Sequence, residues 1–154
     1  MRVAVVSDTH GLLRPAVREA LTGAPLIVHA GDVGKDATLE ALEAIAPLRA
    51  IRGNVDRAGR VAALPATDLV QVAGRRLRLV HDRKDLDLRP GAESVDVVIS
   101  GHSHKPAEER RDGTLWLNPG SVGPRRFSLP ISMAWLTLGP RGTPPEVEFV
   151  TFDP

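Results

Sequence analysis

Three times in its first 56 residues the chain repeats one pattern: a short apolar run breaks into a polar turn that carries an acid or an amide. Residues 2–7 (RVAVVS) lead into Asp8-Thr9-His10-Gly11, residues 26–30 (LIVHA) into Gly31-Asp32-Val33-Gly34, and residues 48–52 (LRAIR) into Gly53-Asn54-Val55-Asp56. Short apolar runs bounded by turn residues read as strands buried on both faces. Helical patterns separate them. Residues 15–22 (PAVREALT) carry Val17, Ala20 and Leu21 on one stripe behind an N-terminal proline, and Gly23 closes the turn. Residues 36–46 (DATLEALEAIA) have apolar residues at 39, 42, 45 and 46, and Pro47 stops them. A βαβαβ order calls for parallel strands, and ligands of such sheets lie beyond the carboxyl ends.

After Pro65 the pattern changes. Residues 68–72 and 76–80 alternate apolar and polar around Ala73-Gly74-Arg75, as a hairpin does, and end at His81-Asp82. Residues 83–94 are charged, carry Pro90-Gly91 and read as a loop with at most one helical turn. Residues 95–100 form another apolar strand, delivering Gly101-His102-Ser103-His104. Strands are expected over 107–111, 114–118, 131–138 and 146–152, separated by turn pairs such as Asp112-Gly113 and Gly139-Pro140, so the second half reads as largely antiparallel. The stretch from Asn118 to Arg126 is too rich in Gly and Pro for a tight turn, and loops of that kind pack or bind something.

Composition narrows the function classes. The 154 residues fit a single domain, 1–154, with room for a real core, and 42% hydrophobic with 25% charged residues is ordinary for a globular protein. A net charge of +1 gives no global field for nucleic acid or anionic membranes. The absence of cysteine removes disulfides, thiolate chemistry and Cys-built zinc sites, so any metal must be held by His, Asp, Glu or Asn. With no apolar run of signal-peptide or membrane-spanning form, the chain reads as cytoplasmic.

Collected at strand ends are Asp8, His10, Asp32, Asn54, His81, His102 and His104. Residues at i and i+2 on extended backbone leave one face, so Asp8 with His10, and His102 with His104, can each reach one pocket. Singly, each motif has a plain alternative. Two exposed histidines fit the Gly101–His104 turn, Asp8 fits a helix cap, and Asn54 fits a Gly-Asn turn. Together, seven N and O donors exceed what one divalent cation needs and suit two, if a carboxylate bridges; Asp32 is the natural bridge. A pair of ions about 3.5 to 4 Å apart suits phosphoester hydrolysis.

The ordered set Asp8-x-His10, Gly31-Asp32, Gly53-Asn54, His81 and Gly101-His102-x-His104 resembles the calcineurin-like metallophosphoesterase superfamily. The chain's size, its Gly53-Asn54-Val55-Asp56 segment and its Asn118-Pro119-Gly120-Ser121 loop are most similar to the small bacterial and archaeal phosphodiesterases of the YfcE type. The resemblance implies an α/β fold arranged as a four-layer αββα sandwich. It implies one cation on Asp8, His10, Asp32 and His104, and a second on Asp32, Asn54, His81 and His102, with Asp32, Asn54 and His102 as catalytic residues. Manganese is the first expectation, with nickel, zinc and iron as alternatives, and a metal-bridging hydroxide as the nucleophile. The implied substrate is a small phosphoester, with short oligonucleotides the only nucleic acid left open; no membrane partner is implied, and a homo-oligomer is compatible. The rival reading is a non-catalytic scaffold, since the retromer subunit of the same fold serves protein binding; that route would be marked by lost ligands, and none is lost here.

Two departures from the family pattern stand out. Relatives that cleave phosphoproteins place a histidine directly after the metal-binding Asn, where this chain has Val55; without that general acid, activated esters and diesters are favoured over phosphoproteins. Small relatives carry Gly after the His81 equivalent, where this chain has Asp82, which either approaches the metal or faces solvent. His29 reads as a supporting or core histidine rather than a ligand, and Asp56 as a supporting group or a turn stabiliser. Arg125 and Arg126 fit either a substrate phosphate or a solvated pair, Asn118 and Ser121 shape their loop, and Trp116 and Trp135 are expected in the core.

Overall fold

The computed structural model describes residues 1–86 and 94–154. The three apolar runs form β1 (Arg2–Val6), β2 (Ile27–His29) and β3 (Leu48–Ala50), joined by α1 (Pro15–Leu21) and α2 (Asp36–Ile45). β1 pairs in parallel with β2, and β2 with β3. The short helix α3 (Gly59–Ala62) then leads to the hairpin β4 (Thr67–Val72) and β5 (Arg75–Val80). β6 (Val97–Ile99), β7 (Ala107–Arg111), β8 (Thr114–Asn118), β9 (Ile131–Thr137) and β10 (Glu146–Phe152) complete the chain.

Two five-stranded sheets result, in the orders β10-β9-β1-β2-β3 and β4-β5-β6-β8-β7. Alternation along each strand decides which face goes where. Val3 and Val5 of β1 face the second sheet and join Leu77, Leu79, Val97, Ile99, Leu115 and Leu117 in the central core. Ala4 and Val6 face the other way, under Val17 and Leu21 of α1 and Leu42 of α2. The outer face of the second sheet is covered, among the described residues, by Leu86 beside Val80, Val95 and Val98, after a single 3-10 turn at Arg83–Asp85. The loop expected over 83–94 is thus a turn at its start, and its residues 87–93 lie outside the described ones.

Two expectations are corrected. The second half is mixed rather than largely antiparallel: β5, β6 and β8 run parallel, because hairpin strand β7 takes the sheet's edge and returns the chain to β8 beside β6. β7 (AEERR) is exposed throughout, and its charges blunt a free edge. Trp116 and Trp135 are half-buried on the outer faces of their sheets, not in the core; Arg2 lies over Trp135 at 4.2 Å and Arg83 over Trp116 at 4.7 Å. The parallel trios β1-β2-β3 and β5-β6-β8 point their carboxyl ends at one rim, where the donor residues meet.

Candidate functional site

Beyond β1 and β2 the two loops stay zipped together: Asp8 N–H donates to Gly31 O (3.0 Å), His10 N–H to Asp32 O (3.0 Å) and Gly11 N–H to Val33 O (2.8 Å). Gly101 N–H donates to His81 O (3.0 Å), which ties the second sheet's rim to itself, and Val122 N–H reaches Ser7 O (3.2 Å). The backbone at the donors is unusual. Asp8, His10, Asp32, His102 and His104 all have positive φ, between 46° and 71°. Non-glycine residues adopt this region uncommonly and at a cost of about 1–3 kcal/mol each, so surrounding contacts must hold them there.

Those contacts also aim the side chains. Asp8 Oδ2 accepts from the Ser7 hydroxyl (2.7 Å) and from His102 N–H (3.1 Å), while its Oδ1 is buried without a hydrogen-bond partner. Around that oxygen stand His104 Nε2 at 3.5 Å, His10 Nε2 at 3.6 Å and His81 Nε2 at 3.8 Å. Asp32 Oδ1 accepts from Val55 N–H (3.0 Å), which turns Oδ2 toward His81 Nε2 (3.1 Å) and His10 Nε2 (3.6 Å). The Nδ1 of His81 meets the Ala30 carbonyl at 2.8 Å and so must carry the proton there. That leaves Nε2, a buried nitrogen without a well-formed hydrogen bond, as the ring atom turned toward the two carboxylates.

Among the described residues two groups of ligand atoms emerge, Asp8-His10-His104 and Asp8-Asp32-His81, each within 4.8 Å. Asp8 belongs to both, and Asp32 also spans His10 and His81. His102 is half-exposed beside them, its ring 5.2 Å from that of His81 and its Nε2 3.7 Å from Asp82 Oδ2. Asn54 is exposed and shares a cavity wall with His81, Asp82 and His102. Asp82 thus faces His102 and also caps its own 3-10 turn through Lys84 N–H (3.1 Å).

The charge pattern suits a cation. Burial drives the His81 pKa down, yet the Asp32 contact, the Asp8 charge and the Ala30 carbonyl more than reverse it, to about 9. Burial drives Asp32 up, but His81, the Val55 N–H and the charge of His10 bring it down to about 2. His104 is lowered, first by burial, with Arg126 and His10 adding to the effect. A pocket that sets two carboxylates this close and draws a proton onto an imidazole is one that attracts positive charge. With orphaned atoms Asp8 Oδ1 and His81 Nε2 at its centre, the N/O donor set fits divalent ions.

His29 is fully buried and makes no approach to this centre; its Nδ1 accepts from Gly31 N–H (3.1 Å), and its Nε2 meets the Thr9 hydroxyl (3.0 Å). Because that hydroxyl donates to Val33 O (2.8 Å), His29 supplies the proton of their bond and stays neutral, with burial lowering its pKa to about 4. Asp56 collects three N–H groups, from Val33 (3.1 Å), Gly34 (2.8 Å) and Gly53 (2.9 Å), pinning the Asp32 loop to the Asn54 loop. Arg126 acts on His104 from an exposed position, whereas Arg125 Nε donates to Leu129 O (3.3 Å), so the two arginines differ in role.

Three supporting residues were not singled out as site residues by sequence. Ser7 orients Asp8, Asn118 Nδ2 donates to Gly101 O (2.9 Å) and Ser103 Oγ (3.1 Å), and Ser121 Oγ donates to Asp8 O (2.9 Å). The Asn-Pro-Gly-Ser signature marks the last two as loop-shaping, but their partners lie 17 and 113 residues away in sequence.

His29 carries a stability prediction. Its unfolded value near 6.5 exceeds its folded value near 4, so above pH 6.5 both states are neutral, and as pH falls toward 4 only the unfolded state gains the proton. Stability is expected to fall over that window by about 3 kcal/mol at most. Denaturant titrations from pH 7 to pH 4 check it: the slope should fall by the His29 share in His29→Gln, leaving the part that His104, also lowered, contributes, and an unchanged slope in that variant refutes it.

A calcineurin-like phosphoesterase superfamily model matches residues 1–140. A probable metallophosphoesterase of Methanothermobacter thermautotrophicus is 33% identical over 145 residues, covering 86% of this chain and 84% of that protein. The phosphodiesterase YfcE of Escherichia coli K12 is 31% identical over 161 residues, covering 88% and 87%. Among solved structures, one described as a novel archaeal phosphodiesterase superposes with a TM-score of 0.80 at 22% identity, covering 99% of this chain and 100% of that one. Vacuolar protein sorting 29 of Cryptosporidium parvum superposes at 0.78 with 20% identity, covering 99% and 98%. At these identities the two structures speak to fold alone. No helix among the described residues is long and apolar enough to cross a membrane.

Proposed function

Because the chain belongs to the calcineurin-like phosphoesterase superfamily, we propose that it is a metal-dependent phosphodiesterase acting on small or activated diesters. The observation that carries this reading is the convergence of Asp8, His10, Asp32, His81 and His104 around buried atoms without partners. Asp8, His10, Asp32 and His104 would hold one divalent ion, and Asp32, Asn54, His81 and His102 the other, with manganese the first candidate. Such a pair, when bound, supplies Lewis acidity and an ionised water at neutral pH.

The chain's own groups do the rest. Ser7 and the His102 amide fix Asp8, Val55 N–H fixes Asp32, and Ala30 O fixes the His81 tautomer, so the donors are oriented before any ligand arrives. Arg126, an exposed cation whose charge acts on His104, is the group we assign to a phosphoryl oxygen. At the position after Asn54 stands Val55, 42% exposed and without a proton to give. The leaving alcohol therefore departs without help from that position, and a general acid contributes about 10²- to 10⁴-fold where one exists. Esters of acidic alcohols are favoured.

The test is a phosphoester panel with each metal. Bis-para-nitrophenyl phosphate should be hydrolysed, chelation should stop it reversibly, and rates along a series of aryl diesters should fall steeply as leaving-group pKa rises. A rate insensitive to the leaving group would refute the missing-acid argument. Tight metal binding without turnover of any phosphoester would favour the scaffold reading instead.

A further inference from the structure

A cavity of about 600 Å³ lies at the opposite pole from the rim. β5 and β6 lead into His81 and Ser100, whereas this cavity is lined by Arg75 at the start of β5 and by Asp96 just before β6. A six-residue strand separates the two ends by about 20 Å. Gly74, Gly113 and residues 141–145, from three turns, line part of it.

Its chemistry is cationic. Arg75, Arg76, Arg110 and Arg141 line it, and Asp96 is the one carboxylate among the described lining residues. Three of these arginines are held by the walls. Arg75 Nη2 donates to Pro140 O (2.9 Å) and Thr143 O (2.6 Å), Arg110 Nη2 to Pro145 O (2.6 Å) and Arg76 Nη1 to Ser94 O (3.1 Å). Arg75 is only 6% exposed, its Nε has no hydrogen-bond partner, and among the described residues no carboxylate pairs with it. Burying a guanidinium without a counter-ion is costly, and anchored guanidiniums match tetrahedral oxyanions with little loss of freedom. Leu115, Pro144 and Pro145 supply an apolar wall, and the volume falls in the range of small-molecule sites.

We propose that this cavity binds a small organic phosphate, its phosphate on the arginine cluster and its ring body against the Leu115 and proline wall. The site is separate from the metal rim, so its occupancy need not alter hydrolysis.

The test is amide NMR on the zinc-loaded, full-length protein, titrated with adenosine monophosphate, ribose 5-phosphate, citrate and uncharged adenosine. Both organic phosphates should shift the Gly74, Gly113 and Gly142 amides with half-saturation at about 1 mM or below, and adenosine should not. In the double variant Arg110→Gln/Arg141→Gln half-saturation should rise at least about tenfold, with hydrolysis of bis-para-nitrophenyl phosphate unchanged. Arg141→Glu, at an exposed position, repeats the test if the double variant is misfolded. Shifts confined to residues around Asp8 and His102, equal binding by the variants, or a response to citrate but not to the phosphates would each overturn it.

Discussion

Asp32→Ala is expected to lower kcat/KM for bis-para-nitrophenyl phosphate by at least about 10³-fold, the largest effect of any single substitution at the rim. Its two oxygens have different duties: Oδ1 is held by the Val55 amide, and Oδ2 stands 3.1 Å from His81 Nε2 and 3.6 Å from His10 Nε2. Removing the carboxylate takes a negative charge from between His81 and His10, so metal content measured on the purified variant should fall along with activity. Asp56→Ala is the contrasting case. It leaves three loop amides without their acceptor, so its first loss should be in thermal stability. An Asp32→Ala protein that keeps both its metal and its rate would end the proposal that Asp32 bridges two ions.

What could be read from sequence follows from how far apart the interacting residues lie. β1 and β2 were legible because burial on both faces leaves continuous apolar runs, which turn residues then cut, and β3, with Arg49 exposed, because Gly53-Asn54 ends it in the same way. The parallel pairing of β5, β6 and β8 was not, since an alternating strand looks the same whichever way its neighbour runs. Helix α3 was missed for another reason. Its four residues show no period, and its first-turn amides at Arg60 and Val61 are capped by the distant Asp36 carboxylate. At the site the donor types were visible as a set at strand ends. Their aim was not, because it depends on Ala30 O for His81, on Ser7 and the His102 amide for Asp8, and on positive φ at five donors.

Gly53→Ala is expected to be nearly as damaging as losing Asp32 itself, although it removes no functional group. A Cβ on Gly53 would overlap the Asp32 side chain at Oδ1 and Cγ and the Asp32 backbone nitrogen as well. The backbone atom cannot swing aside as a flexible side-chain end does, because the Asp32 carbonyl is committed to His10 N–H at 3.0 Å. Either the Asn54 loop moves away, breaking the Val55 bond that orients Asp32, or the Asp32 loop moves and takes His10 with it. Overpacking of this kind costs about 1–3 kcal/mol of stability. The expected outcome is a folded protein with a lowered melting temperature, weakened metal binding and at least about 10²-fold lower activity, since misplacement by about 1 Å is enough for that. Gly101→Ala should act in parallel from the other sheet, where the added carbon would meet the Ser7 hydroxyl and Asp8 Oδ2. If Gly53→Ala lost stability but kept full activity and metal affinity, the tight approach of the two loops would be a packing feature with no part in aiming the carboxylate.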